Sequence, residues 1–222
     1  MPNASLHRRI ASLLVASLAL TGSALAHPHV WITAKAEVAY GEGGRVTGIR
    51  HAWTFDASYS AFVTQGLDKN GDGRLATDEL AGLAAENTAN LAEFAYFTKL
   101  KVGGKDQLFA DPIEPGMAMD GDKLTLSFLL PLKAPAVQGR GVAALEVYDP
   151  TYFVSFSLSE GADAARLAGA PAGCAATITR SKTPEPVPAA TKPGMSESFF
   201  EALTAASNYG GQFANRILVA CP

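Results

Sequence analysis

His29-Val30-Trp31-Ile32-Thr33-Ala34-Lys35-Ala36-Glu37-Val38-Ala39-Tyr40 alternates. Val30, Ile32, Ala34, Ala36 and Val38 share one face, which is the period of a half-buried strand. After Gly41-Glu42-Gly43-Gly44, the run Arg45-Val46-Thr47-Gly48-Ile49-Arg50-His51-Ala52-Trp53-Thr54-Phe55 puts Thr47, Ile49, His51, Trp53 and Phe55 on a single face. The pair reads as an antiparallel hairpin with a four-residue loop. If Tyr40 faces Arg45, Val30 meets Phe55, Ile32 meets Trp53, His51 meets Ala34 and His29 meets Asp56, so the apolar faces coincide.

Working outward, Asp56 can cap a helix over residues 57–67. A second helix carries Leu80, Leu83, Ala84, Asn87, Leu91 and Phe94 at helical spacing, so residues 56–95 form a helical insert. Segments 98–102, 123–132, 141–148 and 152–158 read as strands, and a short one is expected after Cys174. Residues 183–195, with Pro184, Pro186, Pro188 and Pro193, read as an extended linker. Residues 196–222 are expected to form a helical tail broken at Gly210-Gly211. The expected fold is mostly β: an antiparallel, sandwich-like body over residues 27–182, interrupted by one helix-loop-helix.

The 222 residues are 48% hydrophobic and 18% charged, which suits one globular domain. Arg8 and Arg9, the apolar run from Ile10 to Leu20 and Ser23-Ala24-Leu25-Ala26 have the layout of a cleaved export signal over residues 1–26. That run is shorter than the ~20 residues needed to cross a bilayer. Cleavage would start the chain at His27 and, by removing two arginines and no acid, take the net charge from −3 to −5. Nucleic acid is therefore not an expected partner. The two cysteines, Cys174 and Cys221, are expected to pair in an oxidising compartment and tie the tail back to the body.

Asp68-Lys69-Asn70-Gly71-Asp72-Gly73-Arg74-Leu75-Ala76-Thr77-Asp78-Glu79 matches the twelve-position calcium loop of an EF-hand. Calcium is a hard cation that wants six to eight oxygens. Asp68, Asn70 and Asp72 supply positions 1, 3 and 5, the Arg74 carbonyl position 7 and Glu79 a bidentate carboxylate at position 12. Gly73 serves the sharp turn at position 6, and Leu75 fills the apolar position 8. A lone exported hand should bind in the ~10⁻⁴ to 10⁻³ M range and act as a structural brace.

Signal cleavage would leave a free amine beside His27-Pro28-His29, a donor set suited to nickel, cobalt, copper or zinc. Pro28 lacks the N–H that a planar all-nitrogen site would use. His27 and His29 share one side of an extended segment, and Asp56 is the candidate third ligand. His51, between Ile49 and Trp53, reads as a core or edge histidine with a hydrogen-bond partner. No G-x-S-x-G, H-E-x-x-H or phosphate loop is present, and Glu37, Glu93, Glu146 and Asp149 read as solvated carboxylates. Tyr148-Asp149-Pro150-Thr151-Tyr152 reads as a tight turn. An enzyme is not expected.

Five segments carry a resemblance: His27-Pro28-His29-Val30-Trp31, Trp53-Thr54-Phe55-Asp56, Asn90-Leu91-Ala92-Glu93-Phe94-Ala95-Tyr96-Phe97, Tyr148-Asp149-Pro150-Thr151-Tyr152 and Gly169-Ala170-Pro171-Ala172-Gly173-Cys174. In them the chain resembles the bacterial domain-of-unknown-function family 1007. The resemblance implies a periplasmic location and, because members are often encoded near nickel/cobalt-type transporters, metal traffic with a membrane transporter as partner. It identifies no reaction and assigns no role to His51. The expectation is a periplasmic metal-handling accessory; the alternative is a calcium-stabilised structural or interaction module without a transition metal.

Overall fold

The structure, a computed structural model, describes residues 28–181 and 206–222. The export signal (1–26), His27 and the proline-rich stretch (183–195) lie outside the described residues. No helix among the described residues is long and apolar enough to cross a membrane.

Strand β1 (Val30–Gly41) and strand β2 (Arg45–Phe55) form the expected hairpin. Its register differs from the expected one: Ile32 faces Phe55, Ala34 faces Trp53 and Ala36 faces His51. Two local features cause the two-residue offset. Gly41 pairs with Arg45, leaving a three-residue turn in which Gly43 and Gly44 take φ of 67° and 66°. A bulge at Thr47 then adds one more residue, and its hydroxyl donates to the Ala39 carbonyl at 3.1 Å. Because side chains alternate with a period of two, this offset keeps Ile49, His51, Trp53 and Phe55 buried; at the bulge, Val46 takes the inward place expected for Thr47.

The first sheet runs β5-β6-β2-β1-β8, where β5 is Ile113–Asp120, β6 is Lys123–Val137 and β8 is Val154–Leu158. It is mixed rather than all-antiparallel. Strand β8 runs parallel to the first half of β1, and β9 (Ala165–Ala168) runs parallel to the second half. Between them they cover an edge of β1 that would otherwise be open. Strand β5 was not foreseen, because Pro115 and Gly116 break its alternation and sit at a bulge. The second sheet runs β10-β11-β7-β3-β4, with β3 at Thr98–Val102, β4 at Lys105–Asp106, β7 at Val142–Val147, β10 at Ala175–Thr179 and β11 at Asn215–Ala220.

Of the expected C-terminal helical tail, residues 196–205 lie outside the described residues, and the rest is corrected. Ala206 and Ser207 are helical, Tyr209–Phe213 is a 3-10 turn, and the chain ends as a strand. In β11, Asn215, Ile217 and Val219 are buried while Arg216, Leu218 and Ala220 face outward, a period of two that a strand satisfies and a helix cannot. The disulfide is formed: Cys174 and Cys221 flank the Ala175–Ala220 pair, so the bond closes the end of the β10–β11 ladder.

One apolar core lies between the sheets. Trp53 of the first sheet meets Phe128 edge-on at 4.9 Å and Phe156 at 5.1 Å, and Phe97, at the entry to β3, reaches both Trp53 and Phe156. Asn215 ties the layers together: its Nδ2 donates to the Phe156 carbonyl and its Oδ1 accepts from the Ser181 N–H.

Candidate functional site

Helix α1 (Ala57–Val63) begins at Asp56, whose Oδ1 accepts from the Tyr59 N–H at 2.9 Å. It stops about one turn short of the expected end, before Gly66 at φ 75°. Helix α2 (Thr77–Asn90) begins at the far end of the loop. Leu67, just before the acidic segment, and Leu75, within it, pack against the core.

Within that segment the side-chain oxygens accept from the loop's own amides. Asp68 takes Gly71 N–H through Oδ1 (2.7 Å) and Gly73 N–H through Oδ2 (2.9 Å). Asn70 takes Asp72 N–H and Asp72 takes Arg74 N–H, both at 2.8 Å. Gly71 and Gly73 adopt φ of 72° and 76°, a conformation that L side chains rarely tolerate. Glu79 closes the turn, accepting from Lys69 N–H (2.8 Å) and from Ala76 N–H (3.0 Å). Ala76 has no side-chain acceptor, so only the glutamate half of a capping box is made. Among the described residues no three His, Cys, Asp or Glu side chains cluster as they would around a metal. The donor chemistry fits a hard cation, since Asp68, Asn70, Asp72 and Glu79 all present oxygen and each oxygen keeps a lone pair beyond its amide bond.

The expected transition-metal trio is not assembled among the described residues. His27 lies outside them, and the His29 ring lies 4.8 Å from the Phe153 ring. The Asp56 carboxylate serves the backbone twice, because its Oδ2 also accepts from the Trp31 N–H at 3.1 Å. Asp56 thus joins the start of β1 to the start of α1. Asp56→Ala should cost about 1 to 2 kcal/mol, the scale of a lost helix cap. Urea unfolding checks this, and Asp56→Asn, which retains a capping oxygen, should keep most of the stability.

Glu146 pairs with Arg216 across β7 and β11. Asp149 is buried and accepts from Thr151 N–H, Thr151 O–H and Val154 N–H, holding the turn before β8. His51 is a core histidine with a partner, as expected. Thr98 Oγ1 lies 3.3 Å from its Nε2, and burial lowers its pKa to about 3.

A cavity of about 570 Å³ escaped the sequence reading. It opens between the first sheet, α2 and the turn before β8. The stripe at helical spacing divides: Leu80 and Ala84 are fully buried, while Leu83, Asn87, Leu91 and Phe94 line the cavity, the last two just beyond the end of α2. The polar Asn87 and Asn90 within an apolar stripe were the available signal.

The family model described as Protein of unknown function (DUF1007) matches residues 12–221. An uncharacterized protein of Haemophilus influenzae is 26% identical over 148 residues, covering 65% of this chain and 68% of its own. No solved structure matches.

Proposed function

This chain belongs to the family described as Protein of unknown function (DUF1007), and on that premise we propose that it is an exported, calcium-braced accessory protein whose loop 68–79 works as a single EF-hand. The carrying observation is the inward-drawn set of oxygens. Asp68, Asn70 and Asp72 are held in place by the backbone amides of one turn, and Glu79 reaches back to Lys69 at its start. A calcium ion would be held by those four side chains and the Arg74 carbonyl. Glu79 is the residue that couples the ion to the fold, since it is also the N-terminal cap of α2.

The Cys174–Cys221 bond supports the exported, periplasmic part of the reading, because disulfides persist in oxidising compartments. Service to a membrane transporter rests on the family resemblance.

Calorimetry of the protein with EGTA and with calcium tests the brace. For a Kd of ~10⁻⁴ to 10⁻³ M, about 10 mM calcium stabilises the folded state by roughly 1.4 to 2.7 kcal/mol. That corresponds to a rise in Tm of roughly 3 to 10 °C for a domain of this size. Glu79→Gln should lose most of the rise. Identical melting of wild type with and without calcium would overturn the proposal.

A further inference from the structure

The cavity between the first sheet and α2 has the properties of a ligand site rather than of a packing defect. Its wall is aromatic and aliphatic, built from Trp53, Phe55, Phe97 and Leu83, while Asn87 and Asn90 of α2 stand among its lining residues. A volume of about 570 Å³ lies within the range of pockets that hold small molecules, roughly 300 to 1,000 Å³.

A further observation points to an occupant: the wall is held by strained backbone. Ala95, Tyr96 and Phe97 take φ of 49°, 57° and 48° in succession, which presents Phe97 to the cavity and stacks it on Phe94. Three consecutive left-handed non-glycine residues are unfavourable, and such strain concentrates at ligand clamps.

The charges restrict the chemistry. Among the described residues no Lys, Arg or His lines the cavity, so an anion would find no counter-charge from them. Of its two carboxylates, Asp149 is committed to the Thr151 and Val154 amides, and Glu86 is exposed. We propose that this cavity binds a small, uncharged, largely apolar molecule, held against its aromatic and aliphatic wall. The site is independent of the calcium loop, and its test is run both in EGTA and in calcium so that the two readings fail separately.

The probe is 6-propionyl-2-dimethylaminonaphthalene, a neutral naphthalene with one carbonyl acceptor whose emission shifts to the blue in apolar surroundings. Titrated into the full chain, it should bind saturably at one site. Leu83→Phe fills the wall and should weaken binding at least tenfold. Thermal melting confirms that each variant folds. Should Leu83→Phe not fold, Asn87→Phe, at a half-buried lining position on α2, replaces it as the blocking variant. The anionic probe 8-anilinonaphthalene-1-sulfonate should bind at least tenfold more weakly. The proposal is overturned by an absence of saturable binding, by affinity unchanged in a folded blocking variant, or by equal binding of the anionic probe, which would mark a merely sticky surface.

Discussion

Reduction of the Cys174–Cys221 bond is expected to lower the unfolding free energy by about 4 kcal/mol and Tm by roughly 8 to 16 °C. The bond joins residues 47 positions apart, and on the chain-entropy view a loop of that length frees the unfolded ensemble by that amount when it is opened. Its location adds to the effect. Strand β11 lies between β10 and β7, so it is an interior strand of the second sheet although it is the last element of the chain. Unfastening it also endangers Asn215, which donates to Phe156 of the first sheet and accepts from Ser181 at the end of the second. The measurement is paired melting of the oxidised protein, the reduced protein and the Cys174→Ala/Cys221→Ala double variant. The last two should agree. A loss below about 1 kcal/mol in both would mean that the β10–β11 ladder holds the tail without its covalent closure.

The hairpin was legible because its inward positions are apolar at strict alternation from Val30 to Val38 and from Ile49 to Phe55. What the alternation could not specify was the register, since a shift by two leaves every face unchanged. The bulge at Thr47 supplies the missing residue, and nothing in the local pattern distinguishes Thr47 from Val46 as the inward side chain. The tail was misread because Ser196 to Ala206 has helical spacing, and the pattern was carried past Gly210-Gly211 into Asn215–Ala220, where the period changes to two. Gly210 marks that boundary physically: a Cβ there would meet the Asp149 carbonyl oxygen at 1.7 Å, so the turn before β8 and the start of the tail can touch only through a glycine.

The candidate site was legible unevenly for a similar reason. The acidic loop is local: Asp68, Asn70, Asp72 and Glu79 each accept from an amide within the same twelve residues. The cavity is not local. It gathers Val30 from β1, Trp53 and Phe55 from β2, Asn90 and Phe97 around the end of α2, and Asp149 and Thr151 from a distant turn. Those residues fall in four of the five segments that carry the family resemblance, yet each segment alone reads as strand, helix end or turn. Helix α2 connects the two features, with Glu79 in its first turn and Asn87 and Asn90 at its other end.

His51 leads to the second large effect, a loss of stability in mild acid. Its tautomer follows from its surroundings. Thr98 donates its only hydroxyl proton to the Tyr96 carbonyl at 2.7 Å, so it can meet His51 only as an acceptor, from Nε2–H. Nδ1 is then the unprotonated nitrogen, and it is buried beside Trp53 and Phe128 without a partner among the described residues. A proton arriving there would bring a charge into an apolar layer between two sheets, and burial accordingly lowers the pKa from 6.5 to about 3. The unfolded chain binds that proton near pH 6.5 and the folded chain does not, so the His51 contribution is whole above pH 6.5 and shrinks as pH falls toward 3. Between pH 7 and pH 4.5 the expected loss is about 2 to 3 kcal/mol. Other acidic groups titrate over the same interval, so the quantity to read is the difference between wild type and His51→Leu in urea unfolding at each pH. That difference should move in favour of the variant by about 2 to 3 kcal/mol over the interval. Parallel pH profiles for the two proteins would show that the imidazole reaches water or a counter-charge in the folded state, and would remove the buried, neutral histidine from the description of this core.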